Sequence, residues 1–161
     1  MAFTIRDATI DDGDAMLRLL PRLGSFDIPE SRVRRHLWMH DDELLRRWLA
    51  GDADSCQVTV AVSETGEIAG LSIVTLRPEL LSLEPSAHLE AIAVADGAEG
   101  QGIGQALLQA AESRARQSGA LSMSLHAFAT NKRACAFYEK SGYYAELRRY
   151  TKRIAADEGS E

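Results

Sequence analysis

Apolar positions change period along the chain, and each change marks an element. Phe3 and Ile5 alternate with polar neighbours, as in a strand. Thr9 followed three residues later by Asp12 is a helix-start signal, and Met16, Leu19, Leu20 and Leu23 then recur at helical spacing up to Gly24. After a loop containing Pro29, residues Glu30 to about Ala50 carry a second helical stripe of Val33, Leu37, Leu44, Leu45, Trp48 and Leu49. A break at Asp41 and Asp42 would divide it into two short helices. Cys56 to Val62 alternates as a strand, Glu64 to Glu67 makes a turn, and Ile68 to Leu76 returns as the hairpin partner, with Gly70 marking a bulge. Arg77 to Pro85 reads as a connection.

From His88 the pattern runs strand, glycine loop, helix to Gln117 stopped by Gly119, strand Leu121 to Phe128, helix Lys132 to Ser141 and strand Tyr143 to Lys152. In the glycine-loop helix, Ala106, Leu107, Ala110 and Ala111 make the inward face, while Arg114 and Arg116 complement the dipole of its last turn. The order β-α-α-β-β-β-α-β-α-β predicts an α/β fold: a single mixed, twisted sheet with helices on both faces. Residues 1–154 are expected to form one domain, and the small, acidic residues 155–161 a frayed tail.

Composition narrows this only slightly. A chain of 161 residues is long enough for one well-buried core and too short for two ordinary domains. The 24 acidic and 18 basic residues leave a net charge of −6, which argues against a nucleic-acid partner and is compatible with an amine substrate or simply with solubility. Cys56 and Cys135 make no spaced set with histidine, so neither a metal motif nor a disulfide framework is indicated. No run reaches the roughly 18 apolar residues that would span a membrane, and the N-terminal residues carry no leader pattern. A cytoplasmic protein without a membrane partner is expected.

The chemistry concentrates in Glu90 to Gln117. An apolar strand (Ala91, Ile92, Ala93, Val94, Ala95) leads through Asp96 and Gly97 to Gly100, Gln101, Gly102, Ile103 and Gly104, where a helix begins. Glycines at alternate positions let backbone N–H groups converge, and a helix N-terminus behind them adds about half a positive charge, a combination suited to a pyrophosphate. The third glycine comes one residue early for the dinucleotide fingerprint, and the Gly-Lys-Ser/Thr of a P-loop is absent. Taken alone, the trio could equally serve a tight strand-to-helix turn.

About thirty residues on lies Asn131-Lys132-Arg133-Ala134, followed by Phe137, Tyr138, Glu139, Lys140, Gly142 and Tyr143. The succession LEAIAV, G-x-G-I-G-x-A-L-L and N-K-R-A-x-x-F-Y-E-K-x-G-Y resembles the GNAT family of N-acetyltransferases, over about His88 to Arg153. The resemblance implies an acyl-CoA N-acyltransferase fold and transfer of an acetyl group from acetyl-CoA, as co-substrate, to a primary amine attacking directly in a ternary complex. No metal is implied. A non-catalytic acyl-CoA-binding or regulatory module on the same fold is the alternative. One departure is Glu99, which puts an acidic side chain beside the proposed pyrophosphate loop.

Carried over residue by residue, the resemblance implies that Ile92, Ala93 and Val94 line the pantetheine arm, with an N–H near Ala93 polarising the thioester carbonyl. Gly100, Gln101, Gly102, Ile103, Gly104 and Gln105 would hold the pyrophosphate, and Asn131, Ala134 and Phe137 would complete the coenzyme site. Asn131 also reads as a helix N-cap. Tyr138 matches the general acid toward the departing thiolate, and could equally be a core residue with a satisfied hydroxyl.

Glu90, a carboxylate in an apolar strand, is the candidate base; it should be paired, raised in pKa or at a cleft. His88 and His126 are alternative bases. Arg32, Arg34, Arg35, His36, Trp38 and His40 are candidates for acceptor contact, or a solvated basic face. The acceptor is a small-molecule or peptide amine whose identity no motif names, and relatives of this kind are often homodimers.

Overall fold

The computed structural model describes residues 2–155; Met1 and positions 156–161 of the expected tail lie outside the described residues. Five strands form one sheet in the order β1 (Phe3–Asp7), β2 (Cys56–Ser63), β3 (Ile68–Pro78), β4 (Pro85–Val94) and β5 (Met123–Leu125). Pairing is antiparallel through β4 and parallel between β4 and β5, so the sheet is mixed as predicted. Helices α1 (Gly13–Leu19) and α2 (Met39–Leu49) cover one face, where Met16, Leu20 and Leu45 pack on Val58, Val60, Leu71 and Ile73. The other face takes α3 (Ile103–Gln117), with Leu108, Ala111 and Ala115 against Val74, Ala87 and Leu89. A further helix, α4 (Lys132–Lys140), adds Phe137 and Tyr138 to that face.

Local chemistry explains the boundaries. The Thr9 N–H donates to Asp12 Oδ2 at 2.8 Å, and Arg6 holds the same carboxylate at 2.7 Å, so the entry to α1 is tied to the end of β1. A single long helix does not follow, because α1 passes into a 3-10 turn at Leu20–Gly24, with Pro21 at its start. The second helical region is also shorter than predicted. Residues 34–37 form a 3-10 turn and α2 begins only at Met39, so the break falls at Trp38 and not at Asp41 and Asp42. The inward face of α3 is Ile103, Leu107, Leu108, Ala111 and Ala115, rotated slightly from the predicted one; Ala106 and Ala110 are half-buried. After α3, Gly119 has φ +93°, and the Ala120 N–H returns to the Ala115 carbonyl at 3.1 Å, closing the helix where predicted.

The predicted Gly70 bulge is present one position away. Ala61 pairs with Gly70 and Val62 with Ile68, leaving Ala69 unopposed. Gly70 has its own role, since a Cβ there would stand 3.0 Å from both Ile103 and Leu107 and 3.1 Å from the Ala93 carbonyl. Its lack of a side chain is what lets α3 lie close to the sheet.

Two strand predictions are corrected. The expected strand Leu121 to Phe128 shrinks to Met123–Leu125, and Tyr143 to Lys152 forms no strand. Tyr143 packs on the α3 face, but beyond it Tyr144, Leu147, Tyr150 and Ile154 are exposed. Strand propensity needs an edge to receive it, and the three residues of β5 make a short ledge. The predicted connection Arg77 to Pro85 contracts to residues 79–84, because β3 runs on to Pro78 and pairs with Pro85 at the start of β4.

Candidate active site

The site grows out of an irregularity in β4. Ile73 pairs with Ala91 and Val74 with Leu89, so Glu90 is an extra residue without a partner on β3. This bulge inverts the side-chain alternation: Ala87 and Leu89 face α3, whereas Ala91 and Ala93 face α1 and α2. The β4–β5 ladder ends at the same place, with Leu89 opposite Leu125 as its last pair. Beyond it β4 runs to Val94 without a strand on that side.

Along this open edge lies a cleft of about 480 Å³. Every predicted coenzyme residue lines it except Gln101, and so do both predicted catalytic residues, Glu90 and Tyr138. At one end Gly100 (φ +77°) and Gly102 (φ +81°) hold left-handed conformations, with no atom within 4 Å of where a Cβ would stand on either. Gly102 caps α3, so the loop presents backbone N–H groups and the positive end of a 15-residue helix to an open cradle. The residues present therefore fit a diphosphate. Gly104 lines the cleft too and also packs, its Cα facing Phe137 and Val94. Asn131 caps α4, accepting from the Ala134 N–H at 3.2 Å, while still lining the cleft.

The acidic departure at Glu99 is neutralised. Arg22 meets one oxygen at 2.5 Å and Arg133 the other at 3.2 Å. The two guanidinium groups, Arg133 first, hold the Glu99 carboxyl below its ordinary pKa. Arg22 also donates from Nε to the Val94 carbonyl at 3.1 Å, joining the turn after α1 to the end of β4. The loop end of the cleft thus keeps one net positive charge from these three side chains.

The opposite end is acidic. Glu90, with its side chain 10% exposed, faces the exposed His40 at 3.6 Å. Asp41, from α2, enters the same cleft and is 7% exposed. Burial, and then the charge of Glu90, push its carboxyl up to about 7. Leu23, Phe26, Leu37 and Phe128 supply apolar wall, the two phenylalanine rings lying 5.6 Å apart.

Tyr138 lines the cleft, its ring against Phe137 and Tyr143. Burial pushes its phenol up to about 12. Among the described residues none hydrogen-bonds its hydroxyl.

The two histidines part company. His88 is buried, bonds Ser124 through Nδ1 at 2.8 Å and is driven down to about 4, chiefly by burial and then by Arg77. It is held neutral away from the cleft, whereas His126, whose ring lies 4.8 Å from it, lines the cleft. Of the proposed acceptor-contact group, none lines it; Arg34 instead donates to the Gly24 and Phe26 carbonyls, and Trp38, half-buried, packs against the core.

Sequence reasoning missed Arg22 and Asp41. Arg22 carries no local signal, but Asp41 does. It falls on the apolar stripe of α2, four residues after Leu37 and four before Leu45, where an acidic residue is out of pattern. Among the described residues no group of three His, Cys, Asp or Glu side chains is placed to hold a metal ion, and no helix is long and apolar enough to cross a membrane.

The family model described as acetyltransferase (GNAT) matches residues 23–143. No curated protein matches the sequence significantly. Among solved structures, the chain is similar to a putative acetyl transferase from Pyrococcus furiosus, at 25% identity and TM-score 0.77, covering 95% of this chain and 100% of that one. It is also similar to glucosamine-6-phosphate N-acetyltransferase from Arabidopsis thaliana, at 22% identity and TM-score 0.67, covering 96% and 100%. A third likeness is to ribosomal-protein-alanine N-acetyltransferase from Brucella melitensis, at 19% identity and TM-score 0.70, covering 96% and 100%. The last two likenesses bear on the fold alone.

Proposed function

This chain belongs to the acetyltransferase (GNAT) family, and on that premise we propose that it transfers an acetyl group from acetyl-CoA to a primary amine, the two meeting beside β4 for direct attack. The observation that carries this reading is the single cleft in which an open glycine cradle, the free edge of β4 and a bulged Glu90 lie in that order.

The pyrophosphate sits against Gly100, Gln101, Gly102, Ile103, Gly104 and Gln105, with Gln101 contributing backbone only. The pantetheine arm runs along Ile92, Ala93 and Val94 as an added strand. From Val94 back to Glu90 is about 13 Å of extended chain, so an arm leaving the glycine loop carries the thioester toward the acidic end. Asn131, Ala134 and Phe137 flank it.

Glu90 takes a proton from the ammonium form of the acceptor, the freed amine nitrogen attacks the thioester carbon, and the surplus proton left on that nitrogen passes to solvent. The backbone near Ala93 stabilises the oxyanion. The C–N bond forms, the C–S bond breaks, and negative charge moves to sulfur. A phenol at about 12 holds its proton against a thiolate of ordinary pKa near 8.5. Tyr138 therefore acts by donating a hydrogen bond to the sulfur as charge develops, and the thiolate takes its final proton from solvent.

The test is coenzyme A binding by calorimetry beside free-thiol release from acetyl-CoA with a panel of primary amines. Binding with amine-dependent release is expected. Binding without release from any amine would favour the non-catalytic module, and absence of binding would overturn both.

A further inference from the structure

We infer that Asp41 and Glu90 together form a seat for the cationic form of the acceptor, selecting an aliphatic primary amine with no anionic group next to its nitrogen. This rests on the acetyltransferase reading and adds the acceptor's class to it.

The starting observation is Asp41 itself. It is 7% exposed and lines the cleft, and its side chain makes no hydrogen bond or ion pair with any described residue. A buried carboxyl without a partner is costly unless something outside the chain meets it. Neither arginine that lines the cleft, Arg22 or Arg133, forms an ion pair with it. Glu90 faces it from β4, and His40, its neighbour on α2, points to Glu90 at 3.6 Å with 73% of its side chain exposed. His126 lines the same cleft, and Cys56 on β2 feels the charge of Glu90 but is a buried thiol. Arg22 is engaged with Glu99 and the Val94 carbonyl at the other end.

With Asp41 raised to about 7 by burial and by Glu90, its carboxyl holds a proton about half of the time near neutrality. A primary ammonium brings three N–H donors and one positive charge, and replaces that proton with what the pair lacks. One N–H faces Asp41 while another is given up to Glu90 as base, so recognition and deprotonation occur on adjacent oxygens. The rest of the acceptor meets Leu37, Phe26 and Phe128. A hydrocarbon stem suits that wall. The carboxylate of an α-amino acid would be brought against two acidic groups and is disfavoured.

The experiment compares wild type with Asp41→Asn, a substitution of equal size, using acetyl-CoA and four acceptors: 1,4-diaminobutane, phenethylamine, alanine and the neutral aniline. Wild type is expected to prefer the two aliphatic amines over alanine and aniline in kcat/KM. Asp41→Asn should raise KM for them by about 10- to 100-fold, a loss the size of one charged hydrogen bond, with coenzyme affinity retained. Calorimetry in buffers of differing ionisation enthalpy should show about half a proton released on phenethylamine binding to wild type near pH 7, and none in the variant.

Equal use of alanine and alkyl amines, or unchanged KM in Asp41→Asn, would overturn the seat. Acceptor preference and proton release in wild type decide the matter even if the variant does not fold. Should wild type bind coenzyme yet release no thiol, the catalytic reading fails separately, and phenethylamine binding by calorimetry still tests the seat.

Discussion

Arg22 and Glu99 are 77 residues apart in sequence and 2.5 Å apart in space. Their contact fastens the turn after α1 to the glycine loop, and the same guanidinium reaches the last carbonyl of β4. What reads in the sequence as an acidic intruder beside a diphosphate site is therefore one member of a frame, with Arg133 on its other oxygen.

Removing that carboxylate would free two cations toward a bound diphosphate. Glu99→Gln is expected to tighten coenzyme A binding by about three- to tenfold at low ionic strength, with a smaller gain at high salt. Arg22→Ala is expected to weaken it by about tenfold or more, losing both the cation and the tie to Val94. Calorimetric titrations at two salt concentrations check both. Equal affinity in all three proteins would leave the frame a purely structural tie.

Replacing the two proposed chemical groups should separate turnover from binding. Glu90→Gln is expected to lower kcat by about 10²- to 10⁴-fold, and Tyr138→Phe by about ten- to a thousand-fold, each with coenzyme affinity little changed. Because burial holds the Tyr138 phenol near 12, its proton stays in place up to about pH 10. Tyr138→Phe should thus scale the pH–rate profile down without altering its shape. Loss of an alkaline limb in that variant would show that the phenol titrates during turnover.

The glycine cradle offers a test in which fold and binding diverge. Space around Gly102 is open, so the obstacle to a side chain there is its φ of +81°. Gly102→Ala is expected to cost about 1–2 kcal/mol of stability, and Gly102→Asn less, since asparagine tolerates this conformation. Coenzyme affinity should nevertheless fall by about tenfold or more in Gly102→Asn and be abolished in Gly102→Val, through side chains occupying the cradle. Thermal unfolding and calorimetry on the same samples check this; retained affinity would assign the glycines to the turn alone.

Two aspartates should push stability in opposite directions with pH. The Asp12 carboxyl, bonded to Arg6, is held down to about 2. Its contribution is present above the ordinary aspartate pKa near 4 and is lost as pH falls toward 2. Asp12→Asn is expected to be less stable by about 1–2 kcal/mol at pH 7, the difference vanishing near pH 2. Asp41 is raised to about 7, so the folded protein keeps a proton that the unfolded chain releases. Stability should fall as pH rises from about 4 to 7. Asp41→Asn lacks that decline and is expected to be the more stable protein at pH 8. Denaturant titrations from about pH 3 to 8 measure both, and parallel curves for wild type and Asp41→Asn would show that Asp41 has no raised pKa in the fold.

The residues alone determined the hairpin from Cys56 to Leu76, the strand ending at Val94, the glycine turn and α3, because alternation, a positive φ and a helix stop are demands a backbone makes locally. The order and spacing of the motifs, through the family resemblance they carry, also pointed to side chains from Glu90 to Tyr138 that share one cleft, Gln101 excepted. Only the tertiary structure decided that β4 changes phase at Glu90, since a bulge appears only when a second strand counts residues against it. It alone denied Tyr143 to Lys152 a place in the sheet, where β5 provides just three residues to pair with. Arg22 on Glu99 and Asp41 beside Glu90 belong to the same class. Each joins segments far apart in sequence, and the energy of such a charge depends on what packing brings next to it, which no window of sequence contains.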